Sequence, residues 1–278
     1  MDHITNDAKA EAAGTTDRGA QRAEGRASGS ALRLEKRTHL NTGKYKVTLR
    51  DYGNGLAEIG WSFVGAAVTS KSGKGESEER KDHEIRAQRR ARSKIRQLVL
   101  SAHADHMLTL TYRENVADFD RACNDLSKFI RQVKKKLPVW VYIAVAEQQG
   151  RGAWHWHMAV KGRQDVELLR TAWRHVVVEG NIDVSPPRSS GKEGTLALVR
   201  YLSKYLSKGF EQGDRELNRR RFRSSLGIVV PEVMLTLPPF RRADATAYAV
   251  DVLYKTAGSV GHVWNSPELA AGWACSWD

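Results

Sequence analysis

The segment 107–208 alternates between strand-like and helix-like hydrophobic patterns, and the order of these patterns limits the possible folds. Residues 107–112 alternate apolar side chains with threonine, which predicts a half-buried strand. Asp118 then precedes apolar residues spaced three and four apart, which predicts a capped helix ending at the lysines 134–136. This order predicts an α+β fold in which helices cover one face of an antiparallel sheet. The remaining predicted elements are strands over 140–145, 154–160 and 182–184, and helices over 166–177 and 196–208, the last ending before Gly209.

Composition divides the chain further. Residues 1–36 contain no aromatic residue and little apolar surface, which is typical of a disordered tail. Within 37–75, the turn sequence Gly53-Asn54-Gly55 separates two short apolar runs and predicts a β-hairpin, followed by a flexible linker at 70–75. The main domain is expected over 76–230. Residues 231–278 contain Trp264, Trp273 and Trp277, and are too apolar for a free tail, so we expect a C-terminal extension that packs on the domain.

The charge of the chain points to a polyanionic partner. Its 278 residues include 45 Lys and Arg against 32 Asp and Glu, which gives a net charge of +13. Six of these cations follow one another over 86–96 without an acid, either as a solvated helix face or as a phosphate-binding one. With only two cysteines, Cys123 and Cys275, a disulfide framework or a cysteine zinc site is excluded. No apolar run suits a membrane span or a secretory signal, so we expect a cytoplasmic protein.

Two histidines in one predicted strand suggest a metal site. His155 and His157 lie two residues apart, so both imidazoles project from the same face of the strand. Trp154 and Trp156 project from the other face towards the helices, so the histidine face is expected to be the open one. Glu147, on the preceding strand, would join the imidazoles if an odd-length connection or a bulge placed it opposite His155. Such a set suits Mg²⁺ or Mn²⁺, although imidazoles alone would favour Zn²⁺. The alternatives are two surface histidines and a carboxylate that pairs with Arg151.

The predicted helix over 196–208 carries two tyrosines in its segment 200–208, each followed three residues later by a lysine. Tyr201, Lys204, Tyr205 and Lys208 lie on the side of the helix opposite its apolar stripe. They are either surface side chains or a pair of phenolic nucleophiles. A free phenol has a pKa of about 10 and attacks phosphorus slowly unless cations or a metal assist it. With the histidines, this pattern predicts transesterification of a phosphodiester by tyrosine.

Together these motifs resemble the HUH endonuclease superfamily, specifically the rolling-circle replication initiator (Rep) proteins of single-stranded DNA phages and bacterial plasmids. The matching motifs are the strand 108–111, the His155-Trp156-His157 triplet preceded by Glu147, and the paired tyrosine-x-x-lysine helix. The resemblance implies a ferredoxin-like antiparallel sheet in the nicking-joining domain. It also implies metal-dependent nicking of single-stranded DNA at a replication origin, often a hairpin, through a 5′-phosphotyrosine intermediate. Host helicase and polymerase are then expected partners, inside a bacterial cell, because the sequence contains no Walker A loop.

The resemblance also guides the choice of DNA-contacting residues. Thr109 and Thr111 belong to the first motif, and Trp154 or Tyr112, if exposed, could stack a displaced base. Gln149 competes with Glu147 as third metal ligand. Tyr205 is the favoured first nucleophile because Lys204 and Lys208 flank it. A transposase or relaxase of the same superfamily, a non-catalytic nucleic-acid-binding module and a non-haem iron oxygenase are the alternative functions. The expected phosphate-binding arginines are Arg200, Arg219, Arg220, Arg221 and Arg223.

Overall fold

The computed structural model describes residues 43–65, 77–186, 189, 191–211, 222–238 and 242–278. The predicted tail 1–36 and linker 70–75 lie outside this part of the chain. In chain order the elements are β1 (Lys44–Asp51), β2 (Ala57–Val64), α1 (Ser77–Ala102), β3 (His106–Tyr112), α2 (Phe119–Lys136), β4 (Tyr142–Gln148), β5 (Trp154–Val160), α3 (Val166–Val177), β6 (Gly180–Ser185), α4 (Gly191–Glu211), β7 (Phe222–Ser224), β8 (Val233–Leu237), α5 (Arg242–Ala257), β9 (His262–Ser266) and β10 (Ala271–Cys275).

Five strands from the two ends of the described chain form one sheet, called here the terminal sheet. Its order is β8-β1-β2-β10-β9, and all neighbours are antiparallel. The β1–β2 hairpin confirms the prediction from the Gly53-Asn54-Gly55 turn, whose three residues all have positive φ. Helix α5 packs Ala245, Ala249 and Leu253 against one face of this sheet, whose core includes Val47, Ile59 and Trp61. The C-terminal segment therefore completes the sheet that the hairpin begins.

The other five strands form the central sheet, in the order β6-β3-β5-β4-β7 and again antiparallel throughout. The predicted α+β class is confirmed. One face packs against α2 and α3 through a core that includes Leu110, Phe129, Trp156 and Trp173. Asp118 caps α2 as predicted, because its side chain accepts hydrogen bonds from the backbone amides of residues 120 and 121.

Helices also cover the opposite face of the central sheet, so the prediction of helices on one face was wrong. Met107, Ile143, Val145 and Ala159 on this face pack with apolar residues of α1 and α4. The strands of the central sheet carry apolar side chains on both faces, and this pattern is typical of a sheet that is buried on both sides. Helix α4 also runs past Gly209 to Glu211, because the next residue, Phe210, packs against the same core. In the described part of the chain, no helix combines the length and apolar character needed to cross a bilayer.

Candidate active site

The pairing of β4 with β5 brings the predicted metal ligands together. Glu147 lies directly opposite His155, as the sequence predicted on the condition of an odd-length connection. The connection comprises residues 149–153, an odd number, and Gly152 adopts a positive φ of 90° in its turn. On the other side of β5, Thr109 of β3 lies opposite His157. Adjacent strands therefore position the carboxylate, both imidazoles and a threonine hydroxyl on one face.

Both ring nitrogens of His157 have partners. Nε2 donates to Oε2 of Glu147 at 2.7 Å, and Nδ1 lies 3.3 Å from Oγ1 of Thr109. In this tautomer Nδ1 accepts a hydrogen bond from the threonine hydroxyl, so both hydrogen bonds hold the ring in one orientation. The sequence identified Thr109 as a DNA contact, whereas in the structure its hydroxyl contacts this histidine.

His155 has one contacted nitrogen and one orphaned one. Its Nδ1 lies 3.3 Å from Nε2 of Gln149, while its Nε2 is buried and meets no hydrogen-bond partner among the described residues. A buried polar atom without a protein partner is costly, so this nitrogen is available to a water, an ion or a ligand. Gln149 thus contacts one of the predicted ligands and is a neighbour of the site.

The histidine face is covered, which corrects the expectation that it would be open. His155, His157 and Glu147 expose only 7, 5 and 9% of their surface. Helix α4 lies over this face, and the rings of its two tyrosines contact the imidazole of His157. The strand alternation correctly separated the histidines from the tryptophans but gave no information on what packs above them.

The two tyrosines contact each other and His157. The Tyr205 ring stacks on the imidazole, with centroids 4.0 Å apart and planes at 22°, and the Tyr201 ring meets it edge-on at 5.7 Å. The Tyr205 hydroxyl donates to the Tyr201 hydroxyl at 3.0 Å. Both side chains are half-buried. The spacing of four residues on one helix therefore places two phenolic oxygens side by side.

The two lysines of the tyrosine helix differ in position. Nζ of Lys208 lies 2.7 Å from Oε1 of Glu147, which completes a Lys208–Glu147–His157 chain of hydrogen bonds. Lys204 is exposed and forms no ion pair within the part of the chain that the structure describes. Of the two cations expected beside Tyr205, only Lys208 reaches the carboxylate group.

Burial and charge determine the protonation states of this cluster. Burial alone would raise the pKa of Glu147, but hydrogen bonds from Lys208 and His157 outweigh it and lower this pKa below the usual carboxyl value. Burial lowers the pKa of both His155 and His157, which favours neutral imidazoles. Burial and the contact with Tyr201 raise the pKa of Tyr205 above that of a free phenol.

The donor set does not form a closed metal cage. Within the described ranges, no group of three or more His, Cys, Asp or Glu side chains is already arranged to hold a metal ion. The reason is visible in the contacts: Oε2 of Glu147 is occupied by His157 and Oε1 by Lys208. The chemistry of the set still suits a metal, because it offers a carboxylate, neutral imidazoles and the orphaned Nε2 of His155.

A cleft of about 190 Å³ lies beside Tyr201, between β3, β6 and α4. Its polar lining comes from Thr109, Asp183 and Ser185, and the hydroxyl of Ser185 donates to Asp183 at 2.8 Å. Asp183 was not among the predicted site residues. Its position between the apolar Ile182 and Val184 of a short strand nevertheless indicates a side chain directed away from the core.

The predicted DNA contacts are scattered. Thr111 donates its hydroxyl to the backbone oxygen of Asn181, and Arg200 is exposed near Glu193, 3.9 Å away. Nη1 of Arg223 donates to Ser127 on α2 at 2.7 Å, so this guanidinium is attached to the fold rather than directed to solvent. Arg219, Arg220 and Arg221 lie outside the described residues. Trp154 and Tyr112 are buried in the core, so neither meets the condition of exposure on which base stacking was expected.

Residues 105–210 match a family of replication-associated proteins, which is described by its ORF2 and phage-type Rep members. This range runs from β3 into α4, and it contains Glu147, both histidines, both tyrosines and both lysines of the site. Among curated proteins and among solved structures, no significant match is found.

Proposed function

We propose that this chain, which belongs through residues 105–210 to the replication-associated protein family of the ORF2 and phage Rep type, initiates rolling-circle replication by cutting and rejoining single-stranded DNA at an origin. One observation carries the proposal. Two phenolic oxygens lie 3.0 Å apart beside a buried histidine, carboxylate and lysine that are joined by hydrogen bonds. A structural role gives no reason for two adjacent tyrosines over a covered polar cluster, whereas in strand transfer a second tyrosine can cleave a second phosphodiester while the first is still occupied.

In the proposed reaction, a phenolic oxygen attacks the scissile phosphorus and the bond from phosphorus to the 3′-oxygen breaks. The proton released by the phenol ends on the 3′-hydroxyl, and the 5′-phosphate stays on the tyrosine. The number of phosphodiester bonds is unchanged, so the energy for rejoining is retained in the phosphotyrosine bond. The ammonium of Lys208 supplies positive charge close to the reacting groups.

Tyr201 is the better first nucleophile in this arrangement. Its oxygen accepts the hydrogen bond from Tyr205, and such a bond stabilises the phenolate form of the acceptor. Tyr201 also lines the cleft beside β3 and β6, which offers space for a nucleotide next to the scissile phosphate. Tyr205 then serves the second transfer. This order reverses the preference for Tyr205 that the flanking lysines suggested.

A divalent metal, Mg²⁺ or Mn²⁺, fits the proposal through His157, Glu147 and His155. Bound there, it would polarise the scissile phosphate as a Lewis acid. Both histidines would have to carry their proton on Nδ1 to free Nε2: that of His157 would then donate to Oγ1 of Thr109, and that of His155 to Oε1 of Gln149 after a flip of the amide. Lys208 would give up part of its contact with Glu147 and become available to the phosphate.

Single-stranded DNA at an origin, presented by a hairpin, is the proposed partner, with host helicase and polymerase acting on the nicked product. The net charge of +13 suits such a partner and predicts binding that weakens steeply with salt. A transposase or relaxase would use the same chemistry, and the substrate that supports the reaction separates these alternatives.

A covalent-adduct assay tests the proposal. The full chain is incubated with single-stranded origin oligonucleotides and Mg²⁺ or Mn²⁺, and the product is separated under denaturing conditions. We expect an adduct that EDTA abolishes, that Tyr201→Phe removes more completely than Tyr205→Phe, and that Tyr248→Phe, an exposed tyrosine on α5, leaves unchanged.

The double substitution Tyr201→Phe/Tyr205→Phe decides between catalysis and mere binding. An adduct that survives it would contradict the proposed nucleophiles. Binding that is indifferent to EDTA, with no adduct on any origin oligonucleotide, would instead indicate a non-catalytic nucleic-acid-binding protein.

A further inference from the structure

The face of the terminal sheet opposite α5 combines aromatic and cationic side chains. The strand register places Thr48, Gly60, Trp273 and Trp264 side by side across four neighbouring strands. Their sequence neighbours Ile59 and Ala274 belong to the core under α5, so alternation directs this row to the other face. We refer to this surface as the tryptophan face.

The tryptophan face is accessible. Trp264 exposes 46% of its surface, and Trp273 beside it is half-buried. Gly60 and Ser62 occupy the middle strand of the face and carry small or no side chains, so the surface between β1 and β10 is shallow. A large indole at the edge of a shallow surface is a platform on which another flat ring can stack.

The charge of this face is positive. Lys44 and Lys46 of β1 are exposed on it. They precede Thr48, the β1 residue in register with the two tryptophans, by four and two residues. Two acids on this side of the sheet already form ion pairs: the buried Glu58 with Arg96 of α1 at 2.8 Å, and Glu232 with Arg50 at 2.8 Å. The guanidinium of Arg96 also lies 4.8 Å from the centre of a Trp273 ring, a cation–π contact.

Helix α1 extends this positive surface. Arg92 and Arg89 precede Arg96 by four and seven residues, so they share its side of the helix, and both are exposed. Ile95 and Val99 of the same helix are buried in the core that α4 also enters. The basic helix therefore lies between the tryptophan face and the tyrosine helix.

We propose that the tryptophan face is a second DNA-binding site, which holds single-stranded DNA outside the nicking centre. A base stacks on Trp264, and phosphates further along the strand contact the arginines of α1 and, across the sheet on β1, Lys44 and Lys46. Proteins that bind single strands use this combination of aromatic platforms and cationic grooves. Single-stranded rather than duplex DNA is favoured because only unpaired bases present a free π-face to an indole.

Binding measurements on a chain that cannot form the covalent adduct test this site. Tyr201→Phe/Tyr205→Phe protein in EDTA is titrated against a labelled single-stranded oligonucleotide of mixed sequence, followed by fluorescence anisotropy. Loss of one stacked base predicts that Trp264→Ala weakens binding by about 5- to 150-fold. Trp264→Phe keeps a ring and should retain most of the affinity.

Val263→Ala is the matched control for the tryptophan, because Val263 is the preceding residue of β9, is 42% exposed and projects from the other face. It should bind as the parent protein does. Equal affinities for the Trp264→Ala and Val263→Ala variants, with unchanged thermal unfolding, would overturn the proposal. So would an equal loss of affinity for duplex and single-stranded DNA of the same sequence.

The lysines are tested by salt dependence. Lys44→Ala/Lys46→Ala should reduce the slope of log affinity against log salt by about 1.4, at roughly 0.7 per phosphate contact on single strands. The control Lys135→Ala/Lys136→Ala removes the same charge from exposed lysines at the end of α2. Equal slopes for the two double variants would contradict lysine contacts on this face.

This second site stands or falls separately from the nicking reaction. If wild-type protein forms no adduct but Trp264→Ala still loses single-strand affinity, the tryptophan face binds DNA and the proposed enzyme activity is wrong. If the adduct forms and the Trp264→Ala variant binds like its control, the second site is wrong and the nicking centre stands.

Discussion

Replacing Glu58 by glutamine tests how the terminal sheet is attached to helix α1. The carboxylate of Glu58 is fully buried; Oε2 accepts a hydrogen bond from Nε of Arg96 at 2.9 Å and forms an ion pair with Nη2 of the same residue at 2.8 Å. The Tyr52 hydroxyl donates to Oε1 at 2.9 Å, and Arg50 lies 3.6 Å away. Glutamine keeps the size of the side chain but removes its charge, so Arg96 loses the carboxylate it pairs with and Arg50 keeps only Glu232.

Removing one partner of a buried ion pair costs about 3–5 kcal/mol. Arg96 and Arg50 expose 22% and 19% of their side chains, so water can partly solvate them again, and we expect the lower end, about 3 kcal/mol. For a domain of this size that corresponds to a fall in Tm of roughly 6–12 °C. Urea unfolding, followed by circular dichroism and by tryptophan fluorescence, measures the free energy of unfolding.

Glu232→Gln is the matched control for this substitution. Its carboxylate pairs with Arg50 at 2.8 Å but is 38% exposed, and pairs of this kind contribute only about 0–1 kcal/mol. If Glu58→Gln lowers the free energy of unfolding no more than Glu232→Gln does, burial does not determine how strongly the ion pair stabilises the protein.

Three further substitutions test the fold. Asp118→Ala removes the cap of α2 and should cost about 1 kcal/mol in urea unfolding, whereas no change would mean that the cap contributes nothing. Trp156→Ala should cost about 3–5 kcal/mol because the ring is fully buried, and the exposed Val139→Ala serves as control; similar midpoints would contradict the core assignment. Although burial opposes it, hydrogen bonds from His106 and the Gly162 amide lower the pKa of Asp105 below its usual 3.8. Its charge therefore stabilises the protein above that pH, and the advantage over Asp105→Asn should shrink as pH falls through the lowered value; an advantage constant with pH would disprove this.

Local signals in the sequence were sufficient for elements that depend on near neighbours. The turn at Asn54, the cap at Asp118 and the alternation in β5 each act over a few residues, and the structure contains the predicted hairpin, helix and strand. The pairing of Glu147 with His155 was expected only on the condition of an odd-length connection or a bulge, and the five-residue connection 149–153 of the structure meets that condition.

Features that depend on distant contacts were not predictable. The cover over the histidines comes from α4, and the periodicity of a strand does not reveal which helix packs on it. Strands β8, β9 and β10 were missed because their partners lie far away in sequence, as with Cys275 opposite Glu58. The position of Lys208 on Glu147 likewise requires the helix to be placed over the sheet first.

The assembly of the terminal sheet has a consequence for synthesis of the protein. Strand β2 ends at Val64 and pairs with β10, which begins at Ala271. At about 5–20 residues per second, the ribosome needs on the order of ten to forty seconds to add the missing partner. During that time the inner edge of the hairpin, which includes Ile59 and Trp61, remains an unpaired strand that other chains can join. A product released before β10 therefore lacks the tryptophan face even if the proposed nicking centre has already folded.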